Sequence, residues 1–316
     1  MIAREYISPE EFKRFTKTSD LKAIGIVAGN WLIVAVAFAL AYFWTNPVTI
    51  IVAMILIAGR QHGIGGLMHE CGHNTMFASR ATNRFVGQWL AAKPVFEELG
   101  GYARGHGEHH RLAGTVTDPD RGNFEAYPVK KESFRRKMFR DLSGQTGFRR
   151  HKGIWKATLR IFSKDAETRK AARPYISMWL TQIAMILILH VTLHAWLYLL
   201  WIGANLTVYM AFIRIRQVAE HAAVPDALST DVRDNTRTTY GNLLERLTIA
   251  PNYVNFHVEH HLLANVPCYN LKELHETLKS RGAYDEVRIF RNYLEVIQHV
   301  TQEQGAPQAM PPLAAS

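Results

Sequence analysis

A-I-G-I-V-A-G-N-W-L-I-V-A-V-A-F-A-L-A-Y-F-W, residues 23–44, contains no charged side chain. Wound as a helix, this stretch reaches about 33 Å, enough for a bilayer core of about 30 Å. A second uncharged run extends from Pro174 to Ile213. One helix of that length would extend about 60 Å, so the run predicts two crossings joined by a tight turn near His190 to Ala195. A fourth apolar segment follows Thr45-Asn46-Pro47 and continues from Val48 to Met68, interrupted by Arg60, Gln61 and His62. Polar side chains at that depth face protein rather than lipid, so the segment still reads as a crossing. A buried hairpin in a soluble domain is the weaker alternative, given the length of the uncharged stretches. The expected fold is all-α and integral to the membrane. It is one domain over 1–316, with crossings at 22–44, 48–68, 175–192 and 195–214 in two hairpins. A helical cytoplasmic cap is expected over 69–174 and 215–301, with a disordered tail at 302–316.

The chain has 316 residues and a formal charge of +10, most of it concentrated in one segment. Residues 121–174 hold sixteen Lys and Arg against five Asp and Glu, whereas the turns between crossings hold no Lys or Arg. That asymmetry follows the positive-inside rule better than it follows nucleic-acid binding, and it puts both termini and the cap on the cytoplasmic side. A basic face on anionic headgroups fits the same segment. Two cysteines, Cys71 and Cys268, give no disulfide framework and read as reduced thiols. The polar N-terminus and the length of the apolar run after it predict no cleavable signal peptide. Phe85 to Leu99 is expected to lie at the interface. Asn270 with Glu273 is expected to form a capping box, and Tyr284 to Val300 an amphipathic helix.

Three histidine clusters carry the chemistry: H-E-C-G-H at 69–73, H-G-E-H-H at 106–110 and H-V-E-H-H at 257–261. Positions i, i+3 and i+4 share one side of a helix, so His106, His109 and His110 can face one centre. His257, His260 and His261 repeat the pattern, and His69 with His73 adds an i, i+4 pair. Chance predicts roughly 0.03 H-x-x-H-H matches in a chain this rich in histidine, so two matches are a strong signal. The predicted topology puts all three clusters on one side of the membrane. Imidazole alone does not name a metal. Eight histidines exceed one four-coordinate zinc and suit two six-coordinate ions, an arrangement used for difficult oxygen chemistry or hydrolysis. Glu70, Glu108 and Glu259 are candidates to accept the second N–H of a ligating imidazole. His62 shares the helical face of His69 and is a lesser candidate. His151, His275 and His299 read as surface residues, and His190 and His194 as residues of the far turn.

The three boxes in this order on a four-crossing frame resemble the membrane fatty acid desaturase superfamily, which includes related hydroxylases and carotenoid ketolases. The likeness extends from about Gly59 to Leu278 and includes G-R-Q at 59–61, T-D-P-D at 117–120 and A-P-N-Y-V-N at 250–255. The resemblance implies a non-haem di-iron site, O2 as co-substrate and oxidation of a fatty acyl or lipid C–H bond, with a double bond as product. It also implies a ninth ligand, matched here by His221. Gln217, four residues earlier, stands where some members place a water-bridging Asn. Hydroxylation or ketolation on the same scaffold is the alternative outcome. H-E-x-x-H at 69–73 also matches a zinc metalloprotease, with Glu70 as base. That reading leaves the two H-x-x-H-H boxes unexplained. A metal transporter would need polar residues along the crossings, which are almost absent. No fused haem domain, cysteine cluster or dinucleotide-binding glycine pattern is present, so an external donor of the ferredoxin, rubredoxin or cytochrome b5 type is expected.

Overall fold

The computed structural model describes residues 3–301. The expected disordered tail therefore lies outside the described residues. The principal helices are α1 (Pro9–Phe15), α2 (Asp20–Phe43), α3 (Pro47–His73), α4 (Leu99–Leu112), α5 (Lys131–Leu142), α6 (Gln145–Leu159) and α7 (Ala166–Thr192). They continue with α8 (Tyr198–Leu206), α9 (Val208–His221), α10 (His257–Leu262), α11 (Cys268–Ser280) and α12 (Tyr293–Val300). Among the described residues the only β pairing is an isolated bridge between Thr239 and Phe290.

Four helical stretches are long and apolar enough to cross a membrane: Pro9–Phe43, Pro47–His73, Ala166–Thr192 and Ala195–His221. Each overlaps an expected crossing, and each extends past the expected boundary into polar sequence. Pro174 lies inside α7 rather than ahead of it. The last stretch breaks at Thr207, which caps α8 before α9 begins. Leu32, Val36, Val48, Ile51, Leu187 and Ile188 are exposed on these helices. Bare apolar side chains on segments of this length are what a lipid environment requires, and they mark an integral membrane protein.

The polar interruption in α3 faces protein, as expected. Arg60, Gln61 and His62 are all buried. The Arg60 guanidinium donates to Asn30 Oδ1 on α2 at 3.3 Å and to the carbonyls of Arg246 and Leu247 at 3.1 and 2.7 Å. Gln61 donates to the Trp201 carbonyl at 2.8 Å, and Trp201 stacks on Trp31 of α2 with centroids 5.9 Å apart. These bonds tie the 241–256 loop and two other helices to one turn of α3. The approach is close enough that a Cβ on Gly59 would sit 2.2 Å from Leu247 O.

Two local expectations need correction, and the form of a third segment, 85–99, is irregular. Pro267, not Asn270, precedes the first turn of α11, and the Asn270 amide reaches back to the carbonyls of Phe15 and Lys17. The helix expected from Tyr284 begins only at Tyr293, where Asn292 caps it. The 85–99 segment is a π-helical turn at Val86–Ala92 followed by a 3-10 turn, with Phe85, Trp89 and Leu90 exposed.

Gly59→Ala should lower detergent-solubilised stability by about 1–3 kcal/mol through overpacking. Gly25, with nothing near its missing Cβ, supplies the control. Gly25→Ala should be neutral or gain up to about 1 kcal/mol from helix propensity. Thermal melts of both variants check the pair.

Candidate metal centre

The polar C-terminal turns of α3 and α9 meet α4 and α10, and the histidine boxes lie at this junction. Glu98 begins α4 by accepting from the backbone N–H of Gly100 and Gly101, at 2.9 and 2.5 Å. Two groups of imidazoles result. His69, His73, His106, His110 and His260 form one, and His109, His221, His257 and His261 the other. Within each group, one ligand atom per residue lies within 4.8 Å of all the others. The structure thus gathers all nine expected histidines and divides each H-x-x-H-H box between the two groups. His110 and His261 stack at 4.3 Å, so the groups adjoin.

The hydrogen bonds on the outer nitrogens decide the state of the inner ones. His221 Nδ1 donates to the Asn235 carbonyl at 3.2 Å, so a neutral ring carries a bare lone pair on Nε2. That Nε2 lies 2.9 Å from Nε2 of His257, whose Nδ1 faces Glu220 Oε1 at 3.5 Å. His69 Nδ1 meets Glu70 Oε1 at 3.0 Å, and its buried Nε2 has no partner. His109 Nδ1 meets Asp118 Oδ1 at 2.8 Å. In the first group His110 Nε2 is 3.0 and 2.9 Å from the Nε2 atoms of His106 and His260. The Nε2 atoms of His73 and His261 are buried and have no hydrogen-bond partner among the described residues. At the 2.9–3.0 Å separation two neutral rings either share one proton as an N–H to N hydrogen bond or point both lone pairs at a cation between them. Two imidazole nitrogens at right angles, each about 2.1 Å from an ion, lie about 3 Å apart. The residues fit a metal in each group.

Protonation favours the same state. Burial, reinforced by neighbouring imidazoles, holds His257, His260 and His261 well below the usual histidine range. Burial also lowers His110 to about 3. Neutral rings are the metal-binding form.

The second row of residues departs from expectation in places. Glu70 does brace His69, and its other oxygen accepts from Thr75 Oγ1 at 3.0 Å and from the Cys268 backbone N–H at 2.8 Å. With both oxygens so engaged, Glu70 is not placed as the free base of a metalloprotease. Glu108 contradicts the sequence reading. It is exposed and pairs with Arg111, because i+2 from His106 points to the opposite side of α4. Glu259 is fully buried but touches no box imidazole. It accepts from His275 Nδ1, Tyr284 OH and Thr238 Oγ1 at 2.5, 2.5 and 2.6 Å. His275 is therefore buried rather than on the surface. Asp118, Glu220 and the Asn235 carbonyl do the bracing that Glu108 and Glu259 were expected to do. The T-D-P-D flank was the one sequence signal for Asp118. His62 belongs to neither group, and Gln217 lies on the wall of a cavity of about 470 Å³ beside His106, His109 and His221.

The family model described as "Fatty acid desaturase" matches residues 42–293. The chain belongs to the fatty acid desaturase family. Among curated proteins it is similar to a protein named "Dihydrorhizobitoxine desaturase" from Bradyrhizobium elkanii, 24% identical over 78% of this chain and 71% of that one. Membership makes the chain an oxidoreductase of the desaturase type. The family is generally iron-dependent, in keeping with the two imidazole groups.

Two predictions follow from this geometry. Asp118→Asn should weaken metal binding about 10–100-fold, as loss of a carboxylate behind a ligating histidine does. Glu108→Gln should leave it unchanged, and metal titration of purified protein measures both. The metal-free protein should also lose stability in acid. A histidine whose folded pKa lies below 6.5 contributes no pH dependence above 6.5, where both states are neutral. Below it, only the unfolded chain gains the proton. Stability should fall from pH 6.5 toward about 3, the folded value of His110, and melting curves across that range should show it.

Proposed function

We propose that the chain is a membrane di-iron desaturase that introduces a double bond into an aliphatic chain of the fatty acyl or lipid class. The observation that carries this reading is the division of nine buried or half-buried imidazoles into two adjoining groups of five and four. A pair of irons held there would supply the reduction of O2 and the removal of hydrogen from an unactivated carbon. His69, His73, His106, His110 and His260 are the proposed ligands of one ion, and His109, His221, His257 and His261 of the other. Glu70, Asp118, Glu220 and the Asn235 carbonyl fix ring orientation and tautomer from behind. Gln217, one turn before His221 on the cavity wall, is placed to hold a water near the second group.

The cavity beside the imidazoles gives substrate a position against both groups, and the partial burial of its walls limits the water that reaches the reacting carbon. The boxes, the cap and both termini are proposed to face the cytoplasm, where an external one-electron donor of the ferredoxin, rubredoxin or cytochrome b5 type would reach them. Charge asymmetry supports that orientation. The relative's printed name supports desaturation over oxygen insertion.

Metal analysis of the purified chain should find two irons, and lipid extracts of expressing cells should gain products lighter by two hydrogens. One zinc, or products heavier by one oxygen without unsaturation, would overturn the reading. His109→Ala should remove turnover while leaving membrane insertion intact.

A further inference from the structure

The cavity beside the imidazoles is unexpectedly polar for one that receives only methylene groups. Arg150 and Arg216 both line it, together with Glu97, Asp120 and Glu220. Arg150 is satisfied: its guanidinium bonds Glu97 Oε1 at 2.6 Å, Asn205 Oδ1 at 3.1 Å and two carbonyls. Arg216 is different. It pairs with Glu220 Oε1 through Nε at 2.6 Å, and among the described residues no hydrogen bond engages its terminal nitrogens, while the residue lines the cavity. A guanidinium carries five N–H donors.

Arg216 also borders a small void of about 20 Å³, shared with His69, His257 and His260. Its fork therefore stands close to both imidazole groups. On the facing helix α3, His62 is 3% exposed and lines the same cavity. Its ring nitrogens close no direct hydrogen bond among the described residues, although the Thr248 backbone lies beside the ring. Two polar side chains from different helices thus reach one space, Arg216 held on one side by Glu220 and His62 with no hydrogen bond closed among the described residues. Leaving buried donors unmet costs about 1–3 kcal/mol each, and more for a charged group. A methylene chain would leave both unmet, whereas a carboxylate accepts two parallel bonds from a guanidinium fork.

Charge points the same way. Neutral imidazoles bring no negative charge to the centre; Glu70 and Asp118 hold partners of their own, and Glu220 is shared between Arg216 and His257. An anionic group beside Arg216 lowers the electrostatic cost of any cation bound there.

We propose that the cavity encloses a short aliphatic carboxylate, its carboxylate on the Arg216 fork within reach of His62 and its carbons against the two imidazole groups. This deepens the desaturase reading, on which it rests for the fate of the chain. The acid enters free, with no carrier attached at the carboxyl carbon, since a thioester or ester has no charge for Arg216 to meet. The anchored carboxylate also places the oxidised carbons only a few bonds from it.

Calorimetry on the iron-loaded full-length protein in detergent, with hexanoate, 1-hexanol and octadecanoyl-coenzyme A as probes, tests the proposal. Hexanoate should bind at least about tenfold more tightly than 1-hexanol, the range expected for a hydrogen bond to a charged group. Arg216→Met should remove that preference, Arg216→Lys should retain part of it, and His62→Leu should weaken hexanoate severalfold. Iron content equal to the parent verifies the fold of each variant. If Arg216→Met loses iron, Arg216→Lys and His62→Leu decide. Equal binding of hexanoate and 1-hexanol overturns the proposal. So does hexanoate binding unaffected in every variant that keeps its iron, or binding of octadecanoyl-coenzyme A alone. These readouts need no turnover, so a protein that binds hexanoate through Arg216 yet makes no alkene from any probe counts against the desaturase reading and not against the carboxylate site.

Discussion

Imidazole lone pairs facing each other at 2.9–3.0 Å are the constraint on which the rest of the structure depends. Nothing in an apolar interior favours that arrangement. The rings are buried or half-buried, and burial favours their neutral form. The chain fixes the outer nitrogen of one of these rings, His221, and of two neighbouring ligands, His69 and His109. Glu70, Asp118 and the Asn235 carbonyl receive the N–H on the far side of His69, His109 and His221. That choice of tautomer aims the lone pairs inward. A cation between the rings would be met by several imidazole nitrogens at once, which is why the geometry of the centre suits metal ions.

The long helices keep these side chains in register. α3 bears the first box on its last turns, and the Arg60 bonds to the 241–256 loop lie about two to three turns earlier, roughly 13 Å along the axis. That loop leads directly into α10 and the third box. Glu70 extends the connection by binding the backbone N–H of Cys268 at the start of α11, where a carboxylate also meets the positive end of a helix. A shift of α3 would therefore carry boxes one and three together. Arg237 fixes the remaining member by bonding the carbonyls of Ala219, Ala222 and Ala223 around the end of α9, beside His221.

Much of this was legible in the sequence because helical spacing is local. Uncharged length gave three of the four expected crossings, the apolar run around Arg60 gave the fourth, and i, i+3, i+4 spacing marked the eight box histidines before any fold was known. His221 and Gln217 came from the resemblance and not from spacing. What remained hidden depends on contacts between distant segments. Asp118 lies on a loop past the end of α4, and no period connects it to His109. Glu220 precedes His221, yet it reaches His257 on another helix. Asn235 contributes a main-chain carbonyl, which no side-chain pattern reports. His275 looked like a surface residue because its partners, Glu259 and Tyr240, come from segments that only folding brings to it.

The two H-x-E-H-H boxes show how far a motif can be read. In both, the glutamate is two residues past the first histidine and one before the second, so helix geometry turns it away from the metal side. The sequence is the same and the outcomes differ. Behind α4 there is solvent, and Glu108 ends as an exposed partner of Arg111. Behind α10 lie α11 and the segment before α12, and Glu259 is sealed among His275, Tyr284 and Thr238. A buried carboxylate that loses a partner costs more than an exposed one, so these two positions should tolerate substitution very differently. The motif specifies the direction in which each glutamate points. Only the packing behind the helix specifies what it meets there.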